Sequence, residues 1–136
     1  MRTLSISIAI GLLILLLCSV AWSAGPTKLS EKTKQLEKGM KLETVTSILG
    51  EPSWVILDSD SGKYSLDQPP NQPEDKKASF ELLWKNGECS PVSVYFTQYY
   101  KAVGWESGSE CGQDATKALP EVYSCEHPDR SRYCRQ

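Results

Sequence analysis

The chain has 136 residues, enough for one domain, with 15 lysine and arginine residues against 17 aspartate and glutamate residues. The resulting net charge of −2 provides no basic footprint for nucleic acid, so we expect no nucleic-acid partner.

The first residues of the chain have the pattern of an export signal. Arg2 precedes an apolar run over residues 4–17, and small residues follow at Ala21 and Ser23. A basic start, an apolar centre and small residues before a cleavage point are typical of a secretory signal peptide. We therefore predict a signal peptide over residues 1–23 and a periplasmic or secreted mature protein.

Two alternatives for this segment stay open. Residues 4–22 approach the length of about 20 residues that spans a bilayer, so an uncleaved signal could serve as an anchor. Cys18 could instead be lipidated, although Leu17 precedes it where lipoproteins carry a small residue. We expect membrane association only through one of these two routes.

Removal of the signal would leave four of the five cysteines in the mature chain. An even number of cysteines in a small exported domain predicts two disulfides, for which three pairings exist. We favour Cys89–Cys111 and Cys125–Cys134, because each pair closes a local loop. Cys89 precedes one predicted strand and Cys111 follows the next, so an antiparallel hairpin would make them neighbours.

Two short helices are predicted, the first of which begins within a polar lead-in over residues 24–35. The first has a thin stripe at helical spacing and ends near Gly39; its positions are Leu29, Thr33, Leu36 and Met40. The second covers about residues 42–49 and ends at Gly50 and Pro52. So short a helix is marginal alone, so its apolar face must pack on other elements.

The strands follow these helices. Residues 53–57 (SWVIL) predict a first strand or an extended lead, and residues 58–78 predict a long proline-containing loop. In that loop, a turn at residues 60–62 could return Tyr64 and Leu66 beside the SWVIL segment.

Apolar and polar side chains alternate over residues 80–85 and 92–97, and residues 99–106 predict one further strand. We therefore predict an α+β fold in which two short helices pack on a three-stranded antiparallel sheet. The domain covers residues 36–111, and a disulfide-tied, cysteine-containing tail covers residues 112–136.

The central part of the chain resembles the SmpA/OmlA (BamE-like) envelope protein family over residues 36–106. The residues that carry the resemblance are Gly39-Met40, Val45, the run Ile48-Leu49-Gly50-Glu51-Pro52, Leu83-Trp84 and Val94-Tyr95-Phe96. The resemblance implies two helices on a three-stranded meander. It also implies a bacterial envelope protein that acts by binding other proteins, in some members lipid. β-Lactamase inhibitory proteins are similar in architecture.

Catalytic and metal chemistry find little support in the sequence. The single histidine, His127, lies beside Cys125, which we expect in a disulfide. Cysteine spacings of 22, 14 and 9 positions do not suit zinc, and the DSDSG run from Asp58 lacks the calcium-loop glycine and glutamate positions. We predict no enzyme, no catalytic or metal residues and no cofactor.

Three tyrosines are the candidate partner-binding residues: Tyr95, Tyr99 and Tyr100. If the outer face of the sheet is uncovered, they would form an exposed aromatic patch of the kind found at binding sites. The alternative is that the long loop or the tail covers that face. The leading hypothesis is a non-enzymatic, envelope-associated protein-binding module. The alternative hypothesis is a secreted proteinaceous inhibitor of a hydrolase.

Overall fold

The computed structural model describes residues 28–61, 68–69, 71–112 and 119–135. The predicted signal peptide, lipidation of Cys18, and the return of Tyr64 and Leu66 beside the first strand lie outside the described residues. Among the described residues, no helix is long and apolar enough to cross a membrane.

One antiparallel sheet organises the described chain, with four strands in the order β1-β2-β3-β4. The strands are β1 Trp54–Leu57, β2 Phe80–Asn86, β3 Cys89–Phe96 and β4 Ala102–Glu106. The predicted α+β class and antiparallel sheet are confirmed, but the predicted three strands were one too few. All of the SWVIL segment except Ser53 forms β1, in which the completely buried Val55 pairs with Leu82.

The helices are short. They are α1 Leu29–Lys32, which continues as the 3₁₀ helix Thr33–Gln35, α2 Leu42–Leu49, α3 Asp58–Ser61, the 3₁₀ helix Glu121–Tyr123 and α4 Ser131–Cys134. The bounds of α2 match the prediction. The first helix ends before Gly39, because Leu36 has extended backbone and enters the core. The helix therefore lies entirely within the predicted lead-in, and it packs on the domain through Leu29 and Thr33.

The junction after α2 holds the helices to the sheet. Gly50 has a φ of 89°, a left-handed conformation that glycine adopts without steric cost, and it ends the helix. The indole N–H of the buried Trp84 donates a hydrogen bond of 2.8 Å to the Gly50 carbonyl oxygen. On one side of this junction, Leu42, Val45 and Leu49 enter the core that the sheet supplies.

The last strand begins later than predicted, at Ala102 instead of residue 99. A tight turn with two backbone hydrogen bonds precedes it. The Tyr100 N–H donates to the Thr97 carbonyl oxygen, and the Thr97 N–H donates to the Lys101 carbonyl oxygen, both at 2.9 Å. Tyr100 has a φ of 60° in this turn. The turn leaves Tyr99 at the tip with 59% of its surface exposed.

The tail packs along the open edge of β1. The Cys125 N–H donates to the Ser53 carbonyl oxygen at 3.0 Å, and Ser124 forms a single bridge with Trp54. Both favoured disulfides are present, Cys89–Cys111 and Cys125–Cys134. The two tail cysteines belong to the hydrophobic core, with 5% and 2% of their surface exposed. The tail is therefore part of the folded unit.

Candidate partner-binding surface

A cavity of about 300 Å³ lies at the end of the sheet where the tail joins it. The strand register creates this site, because Leu57 pairs with Phe80, Phe80 with Phe96, and Phe96 with Ala102. The segments next to these paired residues, 58–59, 79 and 98–100, therefore lie close together at this end of the sheet. The cavity is lined by Leu57, Asp58, Ser59, Ser79, Phe80, Gln98, Tyr100 and Tyr133, and we call it the aromatic cavity.

Three rings give the aromatic cavity its shape. Phe80 forms the floor, with 2% of its surface exposed. The Tyr100 ring meets it edge-on at a centroid distance of 5.2 Å, and the Tyr133 ring is tilted against it at 5.6 Å. Such offset and edge arrangements are the favoured geometries of aromatic pairs. The Tyr100 hydroxyl also donates to the Arg132 carbonyl oxygen at 3.5 Å, which ties two walls together.

The tail places Tyr133 in this cavity through two restraints. Cys134, the next residue, is held by its disulfide to Cys125. The guanidinium of Arg130 binds both carboxylate oxygens of Asp60, at 2.5 and 2.9 Å. Asp60 additionally accepts the Leu57 N–H at 2.8 Å, so α3 and β1 are joined to the tail.

The Asp60–Arg130 pair is charged at neutral pH. The hydrogen bond from Arg130 is the largest cause that holds the pKa of Asp60 below its usual value, and it outweighs the opposing effect of burial. The same bond raises the pKa of Arg130. A bidentate arginine–carboxylate pair fixes orientation as well as distance, so the tail has one defined position on α3.

The three candidate tyrosines do not share one surface. Tyr100 is a wall of the aromatic cavity, and Tyr99 extends from the adjoining turn. Tyr95 lies on the opposite face of the sheet, where it pairs across the strands with Glu81 and Gly104. The structure thus brings together Tyr99 and Tyr100 and separates Tyr95 from them, and their role in partner binding stays a prediction.

The outer sheet face around Tyr95 is largely covered. Glu81, Leu83 and Ser93 alternate with the core residues of β2 and β3, yet they are buried. The Tyr95 hydroxyl donates to a carboxylate oxygen of Glu106 at 3.0 Å. Burial is the largest cause that raises the pKa of Tyr95, and the nearby carboxylates Glu81 and Glu106 add to it. Tyr95 therefore remains a neutral, engaged side chain at physiological pH.

Of the residues that line the cavity, only Tyr100 was a predicted binding residue; the two other aromatic ones, Phe80 and Tyr133, were predicted only as parts of a strand and of the tail. Tyr133 precedes a cysteine that was expected in a disulfide. That adjacency is the signal that could have found it, because a residue next to a tethered cysteine stays close to the domain.

Two other clefts are lined by more charged side chains than the aromatic cavity, which has only Asp58. A larger cleft of about 590 Å³ borders Trp105 but is otherwise lined by serines, a proline, a glycine and the carboxylates Glu106 and Glu110. Another, of about 470 Å³, includes Lys38, Lys76 and Lys101. Neither cleft contains a cluster of three aromatic rings, a type of lining that is common in binding pockets, and this favours the aromatic cavity despite its smaller volume.

The described residues contain no group of three histidine, cysteine, aspartate or glutamate side chains that could hold a metal ion. His127 lies in the tail, with its Nδ1 4.0 Å from a carboxylate oxygen of Asp129, and Cys125, two positions before it, is in a disulfide.

Comparison with known proteins gave no matching family model, and no curated protein or solved structure with significant similarity to this chain.

Proposed function

We propose that the chain is a non-enzymatic protein-binding module of the cell envelope, which recognises its partner through the aromatic cavity and the adjacent Tyr99. The observation that carries this proposal is the convergence of Phe80, Tyr100 and Tyr133 around a concave surface beside an exposed tyrosine. Aromatic side chains in and around pockets dominate the affinity of protein interfaces.

The envelope location is part of the same proposal. The export-signal pattern supports it, and two disulfides are typical of proteins that fold in an oxidising compartment. The BamE-like resemblance adds an expectation of the same kind. The antiparallel sheet with α2 on one face is compatible with that family's architecture, although the fourth strand and the packed tail go beyond it.

The test starts with capture of a partner from envelope extract, followed by measurement of the Kd of the purified partner. The substitutions Tyr99→Ser and Tyr133→Leu are expected to weaken binding about tenfold or more, because each removes an aromatic contact at the site. The matched control is Tyr95→Phe, which alters a tyrosine on the opposite face and should leave the Kd unchanged. If Tyr95→Phe weakens binding and the other two variants do not, the aromatic cavity is not the interface.

The identity of the captured protein separates the two functional hypotheses. A single hydrolase whose activity falls on binding would favour the inhibitor. Rigid, disulfide-tied loops suit inhibition because they lose little conformational entropy on binding. An outer-membrane assembly component would favour the role that the family resemblance implies.

A further inference from the structure

The turn between β3 and β4 supplies side chains to two clefts. Tyr100 lines the aromatic cavity, and the next residue, Lys101, lines the cleft of about 470 Å³ that also includes Lys38 and Lys76. We call this second site the lysine cleft. Resting on the proposed function, we infer that the lysine cleft binds an acidic segment, rich in aspartate or glutamate, of the same protein partner.

The charge of the lining is the first reason. Three lysines and one aspartate, Asp75, are the charged residues of the lysine cleft. The other two clefts have carboxylates and no basic residue among the described residues that line them. The whole chain has 15 basic and 17 acidic residues, so this lining is opposite in sign to the net charge. A cleft with mainly one sign of charge attracts groups of the other sign, here negative ones.

The ammonium groups of these lysines are available to a partner. Lys38, Lys76 and Lys101 are exposed, and none of their side chains has an ion pair or a hydrogen bond among the described residues. The three lysines come from separate segments, at residues 36–41, 71–79 and 97–102. Because lysine side chains are long and flexible, their charges can converge on one bound group.

A fourth lysine adds a repulsion that an acidic partner would relieve. Lys41 and Lys101 face each other as an isolated antiparallel bridge. Two backbone hydrogen bonds fix this arrangement, from the Gly39 N–H to the Ala102 carbonyl oxygen at 2.7 Å and from the Ala102 N–H to the Met40 carbonyl oxygen at 2.8 Å. Like charges at directly opposed positions are unfavourable, so a negative group here lowers the free energy of both lysines.

The loop that carries Lys76 is joined to the same turn. The Gln98 side-chain amide, at the aromatic cavity, donates to a carboxylate oxygen of Glu74 at 3.4 Å. Within the loop, the Gln72 amide donates to the Lys76 carbonyl oxygen, and the Lys76 N–H donates to the Pro73 carbonyl oxygen, both at 2.9 Å. A partner that contacts the aromatic cavity therefore lies beside a preformed lysine cleft.

This adjacency favours a protein segment over a small free anion. Exposed lysines bind a single free anion weakly, because water and salt screen their charge. An acidic segment that is tethered to a group in the aromatic cavity meets the lysine cleft at a high effective concentration. We expect its charge mainly to accelerate association, which is the usual effect of charges at the rim of an interface.

The test compares two peptides, N-acetyl-tetraglutamate amide and its neutral isostere N-acetyl-tetraglutamine amide, which are titrated into the oxidised protein and followed by ¹⁵N-resolved NMR. The glutamate peptide is expected to shift the amides of Gly39, Lys76 and Lys101. At about 0.1 M salt it should bind about fivefold more tightly than the glutamine peptide. This preference should disappear at about 1 M salt, where the Debye length is only about 3 Å.

Charge-altering variants test the sign of the effect. Lys76→Gln combined with Lys101→Gln should weaken the binding of the glutamate peptide about threefold or more, and Asp75→Asn should strengthen it about twofold, because it removes the repelling carboxylate. Lys85→Gln is the matched control. It removes the same charge from an exposed lysine of β2 outside the cleft, and it should leave the affinity unchanged. The amide spectrum of each variant verifies that it is folded.

The purified partner gives a second measurement. The double lysine variant should lower the association rate constant about threefold and leave the dissociation rate constant close to that of wild type. Tyr133→Leu should instead act mainly on dissociation, because it removes a contact of the bound state. The two clefts are thus separated by their kinetics.

Several results would overturn the inference. Equal binding of the two peptides, or a preference that persists in the double lysine variant, would leave the proposed function intact without an acidic segment. Tighter binding of inorganic phosphate than of the glutamate peptide would indicate a site for a small anion instead. Amide shifts with phosphatidylglycerol vesicles, and with neither peptide, would indicate a membrane surface.

Failure of the proposed function gives a different result. If the double lysine variant leaves association with the partner unchanged while Tyr99→Ser weakens binding, only the acidic segment is wrong. If Tyr99→Ser and Tyr133→Leu both leave partner binding unchanged, the proposed function is wrong and the inference fails with it.

Discussion

The two ends of the sheet use the same covalent bond for different purposes. At the hairpin end (residues 86–91 and 105–112), Cys89–Cys111 joins two positions that are already paired as a β-bridge, and Cys111 is exposed. At the tail end (residues 57–61, 79–80, 96–102 and 119–135), Cys125–Cys134 is buried in the core. It holds a segment with few backbone contacts to the sheet.

The two disulfides differ in the length of the loop that each closes and in burial, and these two properties predict opposite orders for their contributions to stability. The chain-entropy relation assigns about 3.4 kcal/mol to a separation of 22 residues and about 2.6 kcal/mol to a separation of 9. By that measure the hairpin end gains more. Burial favours the opposite order, because loss of the tail also removes core packing and the aromatic contact of Tyr133 with Phe80.

Removing each disulfide in turn tests which of these two orders is right, and it gives the largest expected loss of stability. We expect Cys125→Ala with Cys134→Ala to lower the free energy of unfolding by about 4 kcal/mol or more, because cavities of two buried sulfur atoms add to the loss of the cross-link. Cys89→Ala with Cys111→Ala is the matched control and should cost about 3 kcal/mol. Urea unfolding measures both, and a greater loss for the hairpin pair would show that loop entropy dominates.

A single methyl group at the hairpin end tests whether that end depends on backbone packing. Gly108 has a φ of 63°, and a Cβ there would meet the Ser90 carbonyl oxygen and lie 2.8 Å from that of Pro91. These are backbone atoms, which cannot rotate away. Gly108→Ala should therefore cost about 2–3 kcal/mol, through left-handed strain and local displacement.

The response to Gly108→Ala is expected to be local. Amide hydrogen exchange should accelerate around Ser90 and Glu110, whose backbones are joined by a 2.6 Å hydrogen bond, and stay unchanged around Tyr133. Gly39→Ala is a useful comparison, since Gly39 is also left-handed but a Cβ there would have no neighbour within 4 Å. Equal losses for both variants would contradict a specific role for close packing.

The ion pair at the tail end should have a smaller effect that depends on pH. The side chains of Arg130 and Asp60 are 13% and 16% exposed, between a surface pair and a buried one. We expect Asp60→Asn to cost about 1–2 kcal/mol near pH 7. Asp60→Asn keeps the side-chain shape and an oxygen for the Leu57 N–H, which makes it a better probe than alanine.

The pH dependence follows from the pKa of Asp60, which the Arg130 hydrogen bond holds below its usual value. The stabilisation is complete above the unfolded pKa of about 3.9 and is lost as the pH falls through the lower folded value. The difference in stability between wild type and Asp60→Asn should thus shrink below about pH 4. A difference that does not change with pH would mean that Asp60 acts through its backbone contact, not its charge.

The contrast between the two ends also explains what could be predicted from the sequence. At the hairpin end, alternation located β2 and β3, and the prediction of one further strand antiparallel to β3 favoured the Cys89–Cys111 pairing. Helix α2 was predicted with its correct bounds because Leu42, Val45 and Leu49 give one apolar face and Gly50 ends it. Local periodicity and turn residues carry this information.

At the tail end the decisive contacts are between distant residues. Arg130 meets Asp60 across 70 positions, and β1 pairs with β2 across the long loop. No local pattern encodes such pairings, so β1 remained an uncertain strand. Tyr99 and Tyr100 were named as candidate partner-binding residues, but no cavity was predicted, because its walls come from segments that converge only in the folded chain.

The smallest expected effect on the free energy of unfolding comes from Tyr95, in the middle of the sheet. Because Tyr95 belongs to neither end, its substitution gives a reference value for the effects at both ends. Its hydroxyl bond to Glu106 should contribute about 0.5–1 kcal/mol, so Tyr95→Phe should be slightly less stable at pH 7.

Burial raises the pKa of Tyr95 in the folded state. Above the unfolded pKa of about 10, the unfolded chain loses this proton first, so the stability of wild type should fall as the pH rises. Tyr95→Phe has no such proton, so the advantage of wild type over this variant should shrink between pH 9 and 11 in urea unfolding. If the advantage of wild type does not change over this range, Tyr95 is accessible enough to ionise in the folded state. The outer sheet face would then be open at Tyr95, and the aromatic cavity would no longer be the preferred place for a partner.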